Sequence, residues 1–321
     1  MVSIGSINLR NPVLLAPMAG VTDLPLRRLA WRLGAGLVYS EMIGSRPELW
    51  DTRKSKERRE KDSTIDTWAV QIAGSDPEFM ATAARLYERS GADIVDINMG
   101  CPAKKVCKKE AGSALLRDPG LVKEILEAVV SAVTIPVTLK TRTGWSPEKK
   151  NAVDIACLAE NAGVQALTLH GRTRACRFDG IAEHETAASV VSSVSIPVFV
   201  NGDIRSARDA LCALEISGAA GVMVGRAALG AIWLPGQIAK ALQSGKAEPL
   251  GREDRFSIAL EHLGSLHRFY GSLRGVRIAR KHIKWFLQSC NVDDSVIKNF
   301  NRIGDPTEQK THLEQLWAGV S

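Results

Sequence analysis

The chain has 321 residues, 45% of them hydrophobic, with 42 basic against 35 acidic side chains, a net charge of +7 and a pI of about 9.1. That length excludes a small stapled module and suggests about two domains of roughly 150 residues, or one α/β barrel of about 250 with an appendage. Six cysteines (101, 107, 157, 176, 212 and 290) form no CxxC pair, which argues against a disulfide framework or a structural zinc site. With no charged-then-apolar leader and no long uncharged apolar run, a soluble cytoplasmic protein is expected, with no membrane contact and no stable protein partner.

In chain order, β-type runs fall at 13–16, 37–41, 67–72, 94–98, 136–141, 166–170, 197–201 and 221–224. Amphipathic segments such as 77–89, 121–133, 152–161 and 207–217 lie between them, many ending near a Gly-Ala or Gly-Val step that closes a helix before the next strand. Strands alternating with helices imply a parallel sheet, and eight of them close a (β/α)8 TIM barrel. The barrel is expected over residues 1–243. From 244 a polar linker leads into a segment without β-runs, read as a small all-helical domain over 244–321. Its apolar stripes include Ala279-Ile283-Phe286 and Leu313-Leu316-Trp317.

The polar residues of the barrel gather where the strands end, the face on which such barrels build their sites. "VNGDI" and "VGRAAL" close the last two strands, where glycine lets a phosphate approach backbone N–H groups. One such turn would be unremarked, but two on the strands that commonly hold phosphate point to a phosphate site, with Arg226 as a bidentate partner. Lys140 and His170 end the fifth and sixth strands. A lysine there can stabilise the negative charge of a reduced flavin ring, and Gln71 can hydrogen-bond a ring or ribityl group. Cys101, between Gly100 and Pro102 at the end of the fourth strand, has three options: nucleophile, metal ligand or proton donor. No further cysteines stand at ligand spacing, and a thiol with a free pKa of about 8.5 is mostly protonated at neutral pH, which suits proton donation. Lys104, Lys105, Lys108 and Lys109 then reach outward to a substrate. Residues 268–284 carry six basic side chains and no acid, whereas 46–62 mix seven basic with five acidic residues and read as a solvated surface. On a helix Arg274, Arg277, Lys281 and Lys284 fall on one face, a platform for a polyanion.

The blocks "APMAGVTD", "VQIAGSDP", "DINMGCPAKKVCKKEAGSALL", "LKTRTGW", "LHGRTRACRFDG", "PVFVNGDI" and "MVGRAALG" occur in the order found in the tRNA-dihydrouridine synthase family. The sequence resembles that family, nearest its bacterial B-type members, from about residue 3 into "YGSLRGVRIARKHIKWFL". The resemblance implies a flavin mononucleotide enzyme that reduces the C5–C6 bond of a D-loop uridine in tRNA, with NADPH restoring the flavin. Carried over by motif, Pro17, Met18, Ala19, Gln71, Lys140 and His170, with Asn201, Gly202, Asp203, Gly225 and Arg226, would hold FMN. Cys101 would protonate uracil C5, hydride would reach C6, and Asn98 would orient the base. FMN is expected rather than FAD because no GxGxxG fingerprint accompanies the phosphate turns. Two positions depart from the family pattern: Cys107 stands where a polar residue such as Asn is usual, and Arg177 where an apolar residue is usual. A flavin oxidoreductase acting on a free pyrimidine, of the dihydroorotate dehydrogenase type, would account for the barrel but not the basic tail. A non-catalytic RNA-binding protein would account for the tail but not for Cys101, Lys140 and His170 together.

Overall fold

Strands covered on both faces read as nearly unbroken apolar runs. In the computed structural model, which describes residues 2–319, these runs form one parallel sheet of nine strands that closes on eight staves. The staves begin with Val13–Leu15, Leu37–Val38, Ala69–Ala73 and Ile94–Asn98. They continue with Val137–Arg142, Ala166–His170, Val198–Asn201 and Gly221–Val224. The eighth stave pairs with the first, Val222 opposite Val13 and Val224 opposite Leu15, so the sheet closes there.

The second stave departs from the expected continuous run. After Leu37–Val38 it makes a single bridge from Tyr39 to Ala69, then resumes as Ile43–Gly44 beside Ile72 and Ala73. Ser40 explains the gap in part, because its hydroxyl accepts from Gln71 N at 3.2 Å where a strand would offer a carbonyl. A short hairpin, Ser3–Ile4 with Ile7–Asn8, was also not expected from pattern. Its Ile4 and Leu9 join the barrel's interior cluster with Leu14, Leu37, Phe199 and Met223. Gly5 at its turn abuts Gln165 and Pro136, which precede the sixth and fifth staves. The hairpin therefore lies at the N-terminal end of the barrel, opposite the end that carries the polar residues.

Helices Pro77–Arg89, Ala152–Asn161 and Ala207–Ser217 lie where periodicity puts them. The helix expected at 121 starts at Pro119 instead, because Asp118 caps it by accepting from Leu121 N at 3.0 Å and proline suits the first turn. No strand follows Val224 among the described residues. The tail comprises Arg252–Ser289, interrupted at Gly271 (φ 77°, ψ 170°), then Asp294–Phe300 and Pro306–Gly319. Its Leu263, Ile283 and Phe286 belong to the same apolar cluster as Leu26, Leu29 and Trp233. Among the described residues no helix is long and apolar enough to cross a membrane.

Where tail meets barrel, His262 and His282 stand edge to face with ring centroids 4.8 Å apart. Both are buried, and among the described residues neither Nε2 meets a hydrogen-bond partner. Burial, aided by the nearby Lys281 charge, lowers His262 to about 3 and holds His282 well below the usual value. The folded state thus keeps both rings neutral while the unfolded chain takes up protons below about pH 6.5, so this pair costs stability as pH falls. From pH 6.5 to 5 the loss approaches about 2 kcal/mol per ring. Burial raises Asp23 and Asp96 to about 6, which acts in the opposite direction. Comparing wild type with His262→Leu/His282→Leu cancels that contribution. Denaturant titrations between pH 7 and 5 should show the double variant gaining stability relative to wild type as pH falls, and parallel profiles would refute the assignment.

Candidate active site

The C-terminal ends of the staves surround a cavity of about 760 Å³. Pro17, Met18 and Ala19 line it from the first stave, Gln71 from the third, and Asn98 and Cys101 from the fourth. Lys140, His170, Asn201, Gly202, Asp203, Gly225 and Arg226 complete the wall from the last four. Residues up to two hundred positions apart therefore meet, as the barrel topology requires.

Lys140 donates to Asn201 Oδ1 at 3.0 Å, and Asn201 in turn donates to Met223 O at 2.7 Å, which fixes the amide's orientation. Burial, with Arg142 nearby, lowers Lys140 to about 8, so it remains mostly charged at neutral pH. Burial and the surrounding cations Lys140, Arg142, Arg172 and Arg226 hold His170 well below its usual value, so its ring is neutral. Gly202 has φ 119°, and a Cβ there would stand 2.6 Å from Ala182 Cβ and 2.9 Å from His170 Cδ2. Only glycine fits. At Gly225 a Cβ would find Asn201 Nδ2 and Ala16 Cβ no nearer than 3.7 and 3.9 Å. Its missing side chain therefore leaves space in the cavity wall rather than relieving a clash. Asp203 accepts from Arg172 at 2.6 Å and from Ala182 N at 2.9 Å, with Arg205 and Arg226 at 3.5 and 3.8 Å. The Arg226 guanidinium lies 4.6 Å over the Phe178 ring. This donor set fits a flavin carrying a phosphate: an open glycine turn and an arginine for the phosphate, and a lysine for the anionic edge of the ring.

Cys101 is partly buried. Burial raises its pKa, partly offset by a hydrogen bond from the Ala103 backbone, so the thiol is protonated at neutral pH. Lys104, Lys105, Lys108 and Lys109 are exposed around the short helix Lys104–Cys107. Cys107 does not line the cavity: its Sγ lies 3.6 Å from Cys101 O and 3.7 Å from Ser113 Oγ, beneath the loop. Asn98 Oδ1 accepts from the N–H groups of Cys101 and Gly100 at 3.0 and 3.2 Å. Arg177, at φ 49°, is exposed and lines the cavity.

Reading strand ends alone passed over the groups that hold these loops. Arg142 is 1% exposed and donates to the carbonyls of Gly100, Thr173 and Arg177 at 2.7, 3.0 and 2.7 Å. Arg172 reaches Asp179 O at 3.1 Å and Gly180 O at 2.7 Å besides Asp203. A signal existed for Arg142, since residues two apart on a strand share a face and Lys140 already pointed to the mouth.

The tail's basic face is divided between anchored and free members. Arg274 forms a two-pronged pair with Glu57 at 2.6 and 2.8 Å, and Lys281 Nζ donates to Gly20 O. Gly20 N in turn donates to Glu41, which pairs with Arg58 at 2.8 Å. Tyr270 donates to Asp23 at 3.0 Å. Arg277 and Lys284 are exposed.

Known proteins resemble the chain along nearly its whole length. The profile of the family described as Dihydrouridine synthase (Dus) matches residues 14–319. The protein named tRNA-dihydrouridine synthase B in Proteus vulgaris is 51% identical over 312 residues, covering 97% of each chain. Its namesake in Pseudomonas putida is 52% identical over 318 residues, 99% of this chain and 94% of that one. Among solved structures, histamine dehydrogenase from Rhizobium sp. 4-9 superposes with a TM-score of 0.57 at 15% identity, over 82% of this chain and 50% of that one. That likeness concerns the barrel fold alone. The match across nearly the whole length, on a barrel with these strand ends, means that the chain belongs to the dihydrouridine synthase family.

Proposed function

We propose that the protein is a tRNA-dihydrouridine synthase that uses FMN and NADPH to reduce the C5–C6 double bond of a D-loop uridine in tRNA. The observation that carries the reading is the Cys101 thiol facing a cavity whose wall holds Lys140, Asn201 and the open glycine turn at Gly225. The names of its relatives support the same substrate. When bound, FMN supplies the hydride for uracil C6.

The chain's own residues do the rest. Gly202, Gly225 and Arg226 would hold the phosphate, and Pro17, Met18, Ala19 and Gln71 would hold the ring. Lys140 would supply positive charge to stabilise the reduced ring, and the neutral His170 would offer it a hydrogen bond without adding charge. Cys101 Sγ gives its proton to C5 and regains one from solvent after product leaves. Asn98 keeps one amide N–H to orient the uracil. The base must leave its stack to reach so deep a site. We assign the helical segment from residue 244 as the platform for the rest of the RNA. Arg277 and Lys284 contact phosphates, while Arg274 and Lys281 anchor the platform to the barrel.

The test separates the two half-reactions. The purified protein should release FMN on heating and, with NADPH, form dihydrouridine in tRNA but not in free uridine. Cys101→Ala should keep NADPH-driven flavin reduction and lose tRNA reduction by about 10²- to 10⁴-fold, the usual contribution of a positioned acid. FAD in place of FMN, or equal activity on free uridine, would refute the reading. So would a more severe loss from Cys107→Ala than from Cys101→Ala.

Salt dependence tests the platform. Removing one cation that pairs with a phosphate should lower the log–log slope of tRNA affinity against salt by about 0.7–0.9. Neutralising Arg277 and Lys284 should therefore lower the slope by about 1.4–1.8 at unchanged flavin content. Neutralising Arg274 and Lys281 should instead lower thermal stability. An unchanged slope in the Arg277/Lys284 variant would move the platform to Lys104–Lys109.

A further inference from the structure

A line of hydrogen bonds runs from the barrel interior to the backbone of Cys101. Asp96, on the fourth stave, is 2% exposed. Its Oδ1 accepts from Thr138 Oγ1 and its Oδ2 from Gln71 Nε2, each at 2.6 Å. Gln71 Oε1 accepts from Asn98 Nδ2 at 2.8 Å, and Asn98 Oδ1 accepts from Cys101 N–H at 3.0 Å. The other titratable groups facing Asp96 are Lys140 and Tyr39.

A side-chain amide has one donating and one accepting end, and either can face either way. An ionised carboxylate only accepts, and a backbone N–H only donates. Two amides placed between them have one arrangement in which every donor meets an acceptor, and it is the one observed. We propose that Asp96 is a positioning residue for the proton donor: its carboxylate sets the direction of the Gln71–Asn98 relay, which holds the Cys101 main chain at the cavity mouth. The inference rests on the reading of Cys101 as the acid. It adds a group that never touches the substrate but governs where the thiol stands, and small displacements of reacting groups are costly.

Exchanging the two ends tests it without changing side-chain size or net charge. In Asn98→Asp a carboxylate faces Gln71 Oε1, acceptor against acceptor. Turning Gln71 over only moves the same conflict to Asp96. A proton held at position 98 relieves it, so this variant should lose stability as pH rises from 6 to 9. In Asp96→Asn/Asn98→Asp, Gln71 turns over and every donor again finds an acceptor: the amide at 96 donates to Gln71 Oε1, and Gln71 Nε2 donates to the carboxylate at 98. That carboxylate keeps the Cys101 N–H. Asp96→Asn alone should be milder, because the Thr138 hydroxyl can turn to accept.

The measurements are made on flavin-free protein without tRNA: unfolding against pH, and amide hydrogen exchange at Cys101. Above pH 7, exchange at Cys101 should be at least about tenfold faster in Asn98→Asp and return to within about threefold of wild type in the double variant, the scale of coupling within one hydrogen-bond network. Failure of Asn98→Asp to fold while the double variant folds would be the same rescue. A double variant no better than Asn98→Asp in both measurements overturns the proposal, as does restored stability with Cys101 exchange still fast. Because no tRNA enters, the result decides the relay independently of whether tRNA proves to be the substrate.

Discussion

Buried cations in and beside the wall of one cavity organise the mouth of this barrel. Charge in a protein interior is unfavourable unless hydrogen bonds replace its water. Arg142 and Arg172 satisfy that demand with main-chain carbonyls, so the loops after the fourth and sixth staves must bring Gly100, Thr173, Arg177, Asp179 and Gly180 to them. Gly100 adjoins Cys101, and Arg172 also grips Asp203 after the seventh stave. These loops are thus fixed largely by guanidinium forks, whose planar geometry leaves little freedom in where a carbonyl can sit. Burial, together with the charge of Lys140 and these arginines, holds His170 neutral. A positive potential left over after the carbonyl dipoles and one carboxylate would favour the anionic ligand proposed for this cavity.

Most of the barrel could be read from the sequence because its signal is redundant. Apolar runs such as Ile94–Asn98 and Ala166–His170 are bounded by helices with their own period and caps, and both ranges appear unchanged in the structure. Where one signal was missing, the reading slipped. The second stave breaks because Ser40 competes for a ladder donor, which hydropathy does not register. The N-terminal hairpin has strands of two residues, too short for alternation to be visible. Strand ends drew attention to Lys140, His170 and Asn201, but Asp96 lay inside an apolar strand and its partners Gln71 and Thr138 sit on two neighbouring staves. Only the register of the sheet brings them together.

The tail illustrates a different limit. A row of basic residues on a helix establishes that the face is charged, but not what lies opposite. Glu57 belongs to a mixed-charge stretch that resembles any solvated surface, yet it is 17% exposed at its side chain and holds Arg274. Lys281 finds a carbonyl, a partner with no signature in sequence at all. The charge pattern was legible, and its division into anchoring and exposed members was not.

That division bears on how the proposed chemistry would reach its target. Gly20, the partner of Lys281, follows the Met18–Ala19 segment that lines the cavity, and Asp23, the partner of Tyr270, caps the next helix. Arg274 fixes the tail helix after Gly271 to Glu57 on the helix Arg53–Arg58. Lys281 thus ties the helix bearing Arg277 and Lys284 to the first loop of the active-site face, Arg274 ties it to the helix Arg53–Arg58, and Tyr270, just before the break at Gly271, holds Asp23 of the same loop. Hydrogen-bonded side chains would then help to set the interval between those exposed cations and Cys101. A flexible tether would gain affinity for many RNAs and pay for it by presenting their bases at many depths. A fixed interval instead favours substrates whose phosphates and extruded base are separated by one particular distance. On this reading, selection among uridines depends on the geometry of the tail's anchoring as much as on the cavity that receives the base.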